Sequence, residues 1–367
     1  MPEGRAMSSG NVSAAREGQG PVRIAHSSSR GMDIAPSHAR ELLLTEAGAI
    51  PTRSGVPISP RWQRRLGMWL LLAGAALVML QPTKALAQGC TPFSGSNITV
   101  TCTGTTLNQG STGVSGSSTT GYGDGTQTGL TLTVQSGASV TGNFAGAEGP
   151  PFTGANGISV ASGNAITLQS GSQVTGSSAN GATGILATDG NTITLQSSTS
   201  VTGTSTGISL GANNTVNNAG TITTAGIGGV GDVNGINASG ALTVTNSGTI
   251  GRLDIPDNIF DAAGINASTG STLSVTNNVG GVIQGSTAIL GVGAATVVNS
   301  GLISAIGGGG TGIDYSGNTT SSVTVTNNMS STITGDAYGI NASTATVEKT
   351  ISRQDKTTQR LFRMTCQ

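Results

Sequence analysis

The sequence predicts an all-β protein, a right-handed parallel β-helix (solenoid) of about nine turns with three short strands per turn. The first observation behind this is composition. Gly 59, aromatics at 3% and charged residues at 9% stand far from the average globular mixture, in which roughly a quarter of residues are charged. Pro is only 11, and Val, Ile, Leu and Thr fill the space between glycines, which fits a strand-and-turn array better than a linker. The second observation is a repeat. A Gly-Ile step recurs at Gly157, Gly184, Gly207, Gly235, Gly264, Gly312 and Gly339, with Ala288-Ile289 in the same series, at intervals of 23 to 29 residues. Internal repeats of this period indicate stacked units, and a propeller blade would need roughly forty residues and four strands. The third is alternation: Leu242 and Val244 face one way and Thr243 and Thr245 the other, as in a half-buried strand.

In chain order, residues 1–87 form a basic leader holding ten of the sixteen Lys and Arg. Residues 66–80, LGMWLLLAGAALVML, carry no charge, follow Arg61, Arg64 and Arg65, and precede Ala85-Leu86-Ala87. A basic stretch, a short apolar stretch and an A-x-A site read as a secretory signal peptide, cleaved between Ala87 and Gln88 by the export machinery. A membrane-spanning helix is the rival, but a span needs about twenty apolar residues. The Ser- and Arg-rich residues ahead of the signal fit either a later translation start, for instance at Met32, or an extended signal region.

Residues 88–130 read as an N-terminal cap region. Cys90 and Cys102 bound CTPFSGSNITVTC, a loop and strand of a size that one disulfide closes in an oxidising compartment. A metal site there would have two thiols and no His or third Cys nearby, a poor ligand set. Both histidines, His26 and His38, precede the cleavage site. The exported chain therefore lacks the imidazole that Ser-His-Asp or Cys-His catalysis requires.

The repeats occupy residues 131–347. After each Gly-Ile strand comes a second, as in TITLQS from Thr192 or LTVTNSG from Leu242, and then a third, as in SVTG from Ser200 or GTI from Gly248. LTVQSGASVTG, Leu132 to Gly142, supplies an earlier second and third strand. One such unit cannot close a core, but stacked units bury Ile, Leu and Val inside and leave Thr, Ser and Asn outside. In residues 235–250 this places Ile236, Leu242, Val244 and Ile250 inside and Asn246 at a bend. Asn218, Asn246, Asn278, Asn299 and Asn328 fall at matching bends. They are expected either to form a hydrogen-bonded ladder between turns about 4.8 Å apart or simply to serve the turn preference of Asn. At that rise the coil is on the order of 40 Å long.

With leader, Cys-bounded mature N-terminus and VTNSGTI-type repeats together, the chain resembles the passenger region of bacterial autotransporters of the type V secretion route. TVNNAGTI at Thr215 and LTVTNSGTI at Leu242 carry the likeness, which covers roughly residues 88–347. It implies a non-catalytic, surface-displayed stalk, commonly an adhesin and virulence factor, threaded through a C-terminal outer-membrane barrel. Its implied partners are a host-surface or extracellular-matrix receptor or a glycan. Residues 348–367 depart from that pattern. They carry seven charges, five of them basic, and the odd Cys366, where a barrel needs many alternating segments with aromatic girdles. This tail reads either as a cap or interaction segment, or as a truncated or out-of-frame end. The chain is thus expected to reach the cell surface if joined to a barrel and the periplasm otherwise.

Charge excludes one function class. Residues 88–347 hold a single basic residue, Arg252, against nine acidic ones, so this segment cannot neutralise the phosphates of a nucleic acid. The alternative to a structural protein is a carbohydrate-active β-helix enzyme, a polysaccharide lyase or hydrolase, which would stack carboxylates on one face of neighbouring turns. The one acidic cluster is Asp254, Asp257 and Asp261 beside Arg252, in an insertion at 251–262. It reads as a solvated loop or as a Ca²⁺ or ligand site. No catalytic residue and no cofactor is expected, nor a membrane span in the mature chain. Binding specificity is expected in interruptions such as the 251–262 loop.

Overall fold

The computed structural model describes residues 89–112, 119–143, 155–178, 181–225, 233–252, 262–267, 272–307, 309–318, 321–342, 347–351 and 362–363. The chain divides into two units, Met1–Gln81 and Pro82–Gln367, and all described residues belong to the second. That unit is a parallel β-helix. Its strands form three sheets of 11, 9 and 9 strands, which we name A, B and C, and from Thr99 to Ala342 the chain visits them in the fixed order A, B, C. One full turn runs from Leu242–Asn246 in sheet A through Thr249–Gly251 in B to Ala262–Ala267 in C.

The Gly-Ile steps stack as expected. Ile158, Ile185, Ile208, Ile236, Ile265, Ile289, Ile313 and Ile340 lie in one register column of sheet C, all buried. Six of these isoleucines, those after Gly157, Gly184, Gly207, Gly235, Gly264 and Gly312, follow a glycine on which the next turn closes, while Ala288 precedes Ile289. A Cβ on Gly184 would stand 2.6 Å from the Gly207 carbonyl oxygen, and one on Gly207 equally close to that of Gly235. Sheet B contributes the column Val140, Val174, Val201, Ile222, Ile250, Ile283, Ile303 and Ile333. The sheet A strand Leu242–Asn246 points three residues inward, Leu242, Val244 and Asn246, which are all buried. With turns stacked on both sides, the alternating side chains make one continuous core along the coil.

The coil begins earlier and runs later than the repeats suggested. Thr99–Thr103 and Thr105–Leu107 already occupy sheets A and B, and Tyr122 bridges to Ile158 at the edge of sheet C. The expected cap region therefore contains a first turn of its own. It lacks a Gly-Ile step because Tyr122 stands at the sheet C position. At the other end Val347–Ile351 pairs in parallel with Val323–Asn327, and Phe362–Arg363 with Tyr338–Ala342, so strand pairing continues into the charged tail.

Most of the variation in turn length is taken up at one corner. The four longest B-to-C connections run from Leu107 to Tyr122, Thr141 to Ile158, Thr224 to Val233 and Gly251 to Ala262. The corners from sheet A to B are at most four residues long, and those from C to A at most eight, as from Tyr122 to Thr131. Turns 1 to 5 enter sheet A through a residue with left-handed backbone, Asn97, Gly129, Gly163, Gly190 and Asn213 in succession, positions at which Gly and Asn carry the least steric cost.

Candidate functional site

The N-terminal end of the coil is built around Cys90 and Cys102. Gly89–Thr91 folds back antiparallel on Thr99–Thr103, with Cys90 opposite Cys102, and the two sulfurs are joined in a disulfide. The buried Gln109 side chain acts as a substitute strand partner. Its Oε1 accepts from the Cys90 amide and its Nε2 donates to the Cys90 carbonyl, both at 2.8 Å. This satisfies an edge that would otherwise be bare. Nothing in the sequence beyond a Gln in a loop signalled that role. Next to it, the Thr126 hydroxyl donates to Asp124 at 2.6 Å and holds that carboxyl below the usual carboxylate range. Burial, with the Asp124 charge second, pushes the Tyr122 phenol up to about 12.

The asparagine ladder exists, with a shifted membership. Asn218, Asn246, Asn277, Asn299 and Asn327 stack, each Nδ2 donating to the next Oδ1 at 2.8 Å. Asn278 and Asn328, expected in it, lie one residue further on, outside the stack, and donate instead to the hydroxyls of Ser247 and Ser300. Strand alternation decides this: with Val275 inside and Thr276 outside, Asn277 is the residue that turns in.

A second ladder was not foreseen. The Asn164 amide donates to Asn191 Oδ1 at 2.9 Å and the Asn191 amide to Asn214 Oδ1 at 3.1 Å. The two ladders occupy opposite ends of the sheet A strands. Register places Leu195 where Asn218 begins the five-membered ladder, and Leu242 where Asn214 ends the three-membered one. Asn214–Asn218, NTVNN, belongs to both, so the polar column crosses from the entry to the exit of sheet A within one strand.

The outward side of sheet A is the most regular surface of the coil. Its first row runs from Thr99 and Thr131 to Thr296 and Thr324, interrupted by Ala165 and Ser274. Its second runs from Thr101 and Thr133 to Thr326, interrupted by Asn217 and Val298. Fourteen of these eighteen positions are Thr, and none is charged or aromatic. A shallow depression of about 200 Å³ lies on this face, lined among others by Asn213, Thr215, Thr243 and Ser274, beside the strand in which the ladders change over.

Asp254, Asp257 and Asp261 lie outside the described residues, as do Ala87 and Gln88. Among the described residues no group of three or more His, Cys, Asp or Glu is placed to hold a metal, and no helix is long and apolar enough to cross a membrane. Asp189 accepts from the Ala212 amide and Asp314 from the Ser316 amide, so both serve turn backbone. Inside the coil, the buried Tyr315 lies over Gly291 of the preceding turn. Its hydroxyl has no hydrogen-bond partner among the described residues, and burial raises its pKa well above the ordinary phenol value. No protein-family model, no curated protein and no solved structure matches this chain.

Proposed function

We propose that the chain is a non-catalytic exported surface protein, an adhesin-like passenger of the type V secretion kind, whose coil is a display scaffold. The observation that carries this reading is the unbroken register of nine successive turns, with the three longest connections all at the B-to-C corner. A solenoid in which each turn contacts only its neighbours can present loops of differing length at one edge without disturbing its core. Those loops, the 251–262 stretch among them, are where a matrix receptor or a glycan would be recognised. The Cys90–Cys102 disulfide supports an oxidising compartment, and with it export through the signal peptide.

The test is to produce the full chain in a Gram-negative host, fractionate the cells and sequence the N-terminus of the exported form. A start at Gln88, external protease sensitivity when a barrel is appended, and binding of the displaying cells to immobilised matrix proteins or glycans would support the reading. Retention of an uncleaved, reduced chain in the cytosol would sink it.

A further inference from the structure

The outward face of sheet A differs from the other two faces in a way that strand formation does not require. All three sheets make the same demand for β-forming residues. Over the nine turns whose sheet A strands run from Thr99 to Asn327, sheet A nevertheless has Thr at fourteen of eighteen outward positions, sheet B at nine of eighteen, and the outward column of sheet C from Ser159 to Asn341 has none, mixing Ser, Leu, Asn and Asp. The three longest connections, from Leu107 to Tyr122, Thr141 to Ile158 and Gly251 to Ala262, leave at the B-to-C corner, which does not border this face.

We propose that the threonine face of sheet A is an ice-binding surface. Its hydroxyls and methyls repeat about every 4.8 Å along the coil and about every 7 Å across it, two residues along the strand. The array is stiff before any contact. Every turn but the first and last is paired on both sides, the core beneath it is filled, and a β-branched Thr has restricted χ1 freedom. Little ordering entropy is lost when such a surface docks. The partner that fits is a rigid, uncharged lattice of hydrogen-bond donors and acceptors, and ordered water is such a lattice.

Other occupants fit worse. The eighteen positions hold no charge to attract an ionic polymer and no aromatic ring to stack on a sugar. A second copy of the chain would meet a strip about 40 Å by 7 Å, a few hundred Å² and well short of the roughly 800 Å² per partner of a stable interface. The inference does not depend on how the chain is exported.

The experiment grows ice slowly in a dilute solution of the full chain and measures its partition into the solid, together with thermal hysteresis and inhibition of recrystallisation. The chain is expected to enter the ice and to slow recrystallisation. The double variant Thr194→Tyr/Thr245→Tyr, which roughens the centre of the face but keeps strand propensity, should fall to the level of an inert protein. Thr202→Tyr on sheet B should behave as the unmodified chain. Melting curves establish that each variant is folded; if the tyrosine pair is not, Thr194→Val/Thr245→Val, which keeps the methyls, takes its place and should lose most of the partition. Exclusion of the unmodified chain from ice overturns the proposal. So does partition indifferent to the sheet A variants, or co-sedimentation with insoluble neutral polysaccharide without any effect on ice.

Discussion

Replacing Asn246 by Ala should remove more stability than its size suggests. The side chain donates to Asn277 Oδ1 at 2.8 Å and to the carbonyls of Gly248 and Val282 at 3.1 and 3.2 Å. It accepts from Asn218 Nδ2 at 2.8 Å and from the Gly248 amide at 3.3 Å. Alanine leaves the Gly248 N–H and one arm of Asn218 without this acceptor, Asn277 without this donor, and a void where the amide stood. Two or three buried polar groups stripped of a partner, at about 1 to 3 kcal/mol each with partial relaxation, give a loss of about 4 kcal/mol. Asn278→Ala is the control. It removes one contact with Ser247 at the surface and should cost about 0.5 kcal/mol. Urea unfolding of the full chain followed by far-ultraviolet circular dichroism measures both. An Asn246/Asn277 double-mutant cycle should show coupling of about 1 to 2 kcal/mol. If the two single substitutions differ by less than about 1 kcal/mol, the ladder is not a stabilising network and the reasoning fails.

Three further outcomes are expected. Gly207→Ala should destabilise by about 1 to 3 kcal/mol through overpacking, because the new Cβ would stand 2.6 Å from the Gly235 carbonyl oxygen; an unchanged melting temperature would refute the close approach. Tyr315→Phe should stabilise the protein by about 1 kcal/mol, since it deletes a buried hydroxyl without a partner among the described residues and leaves the ring over Gly291. A loss in the same denaturation assay would mean that the hydroxyl is satisfied. Tyr122, raised from 10.0 to about 12, gives an alkaline signature. Folded and unfolded forms are both neutral below pH 10; above it the unfolded phenol ionises first, so stability falls from pH 10 and levels off past about 12, by about 3 kcal/mol in all. Tyr122→Phe should flatten that part of the pH profile.

Much of this architecture was legible in the chain because the signals are local. Period-two alternation fixes which side of a strand is buried, and it placed Ile236, Leu242, Val244 and Ile250 inside, as they are. The recurring Gly-Ile step marks sheet C because its glycine lies under the carbonyl of the next turn, a constraint that leaves a visible residue. The first turn escaped notice, since Tyr122 replaces that step and Thr106 stands opposite Val140 where later turns carry Val or Ile. Asn277 and Asn327 could have been chosen over Asn278 and Asn328 by carrying the alternation two residues beyond Val275 and Val325.

By itself, then, the sequence determined the repeating unit, three strands in fixed order with an aliphatic interior and a threonine exterior, and the pair of cysteines ahead of it. Each of these follows from residue type and short-range period. Only the tertiary structure decided how the units bear on one another. It joined Asn164, Asn191 and Asn214 into a second ladder, handed the polar column across Asn214–Asn218, set Gln109 as the partner of Cys90, laid Tyr315 over Gly291, and drew the three longest connections to the one corner that does not border sheet A. These relations link residues more than twenty positions apart through connections of unequal length, except Gln109, nineteen residues from Cys90. Their register is fixed by hydrogen bonding between stacked strands, which no period within one turn records.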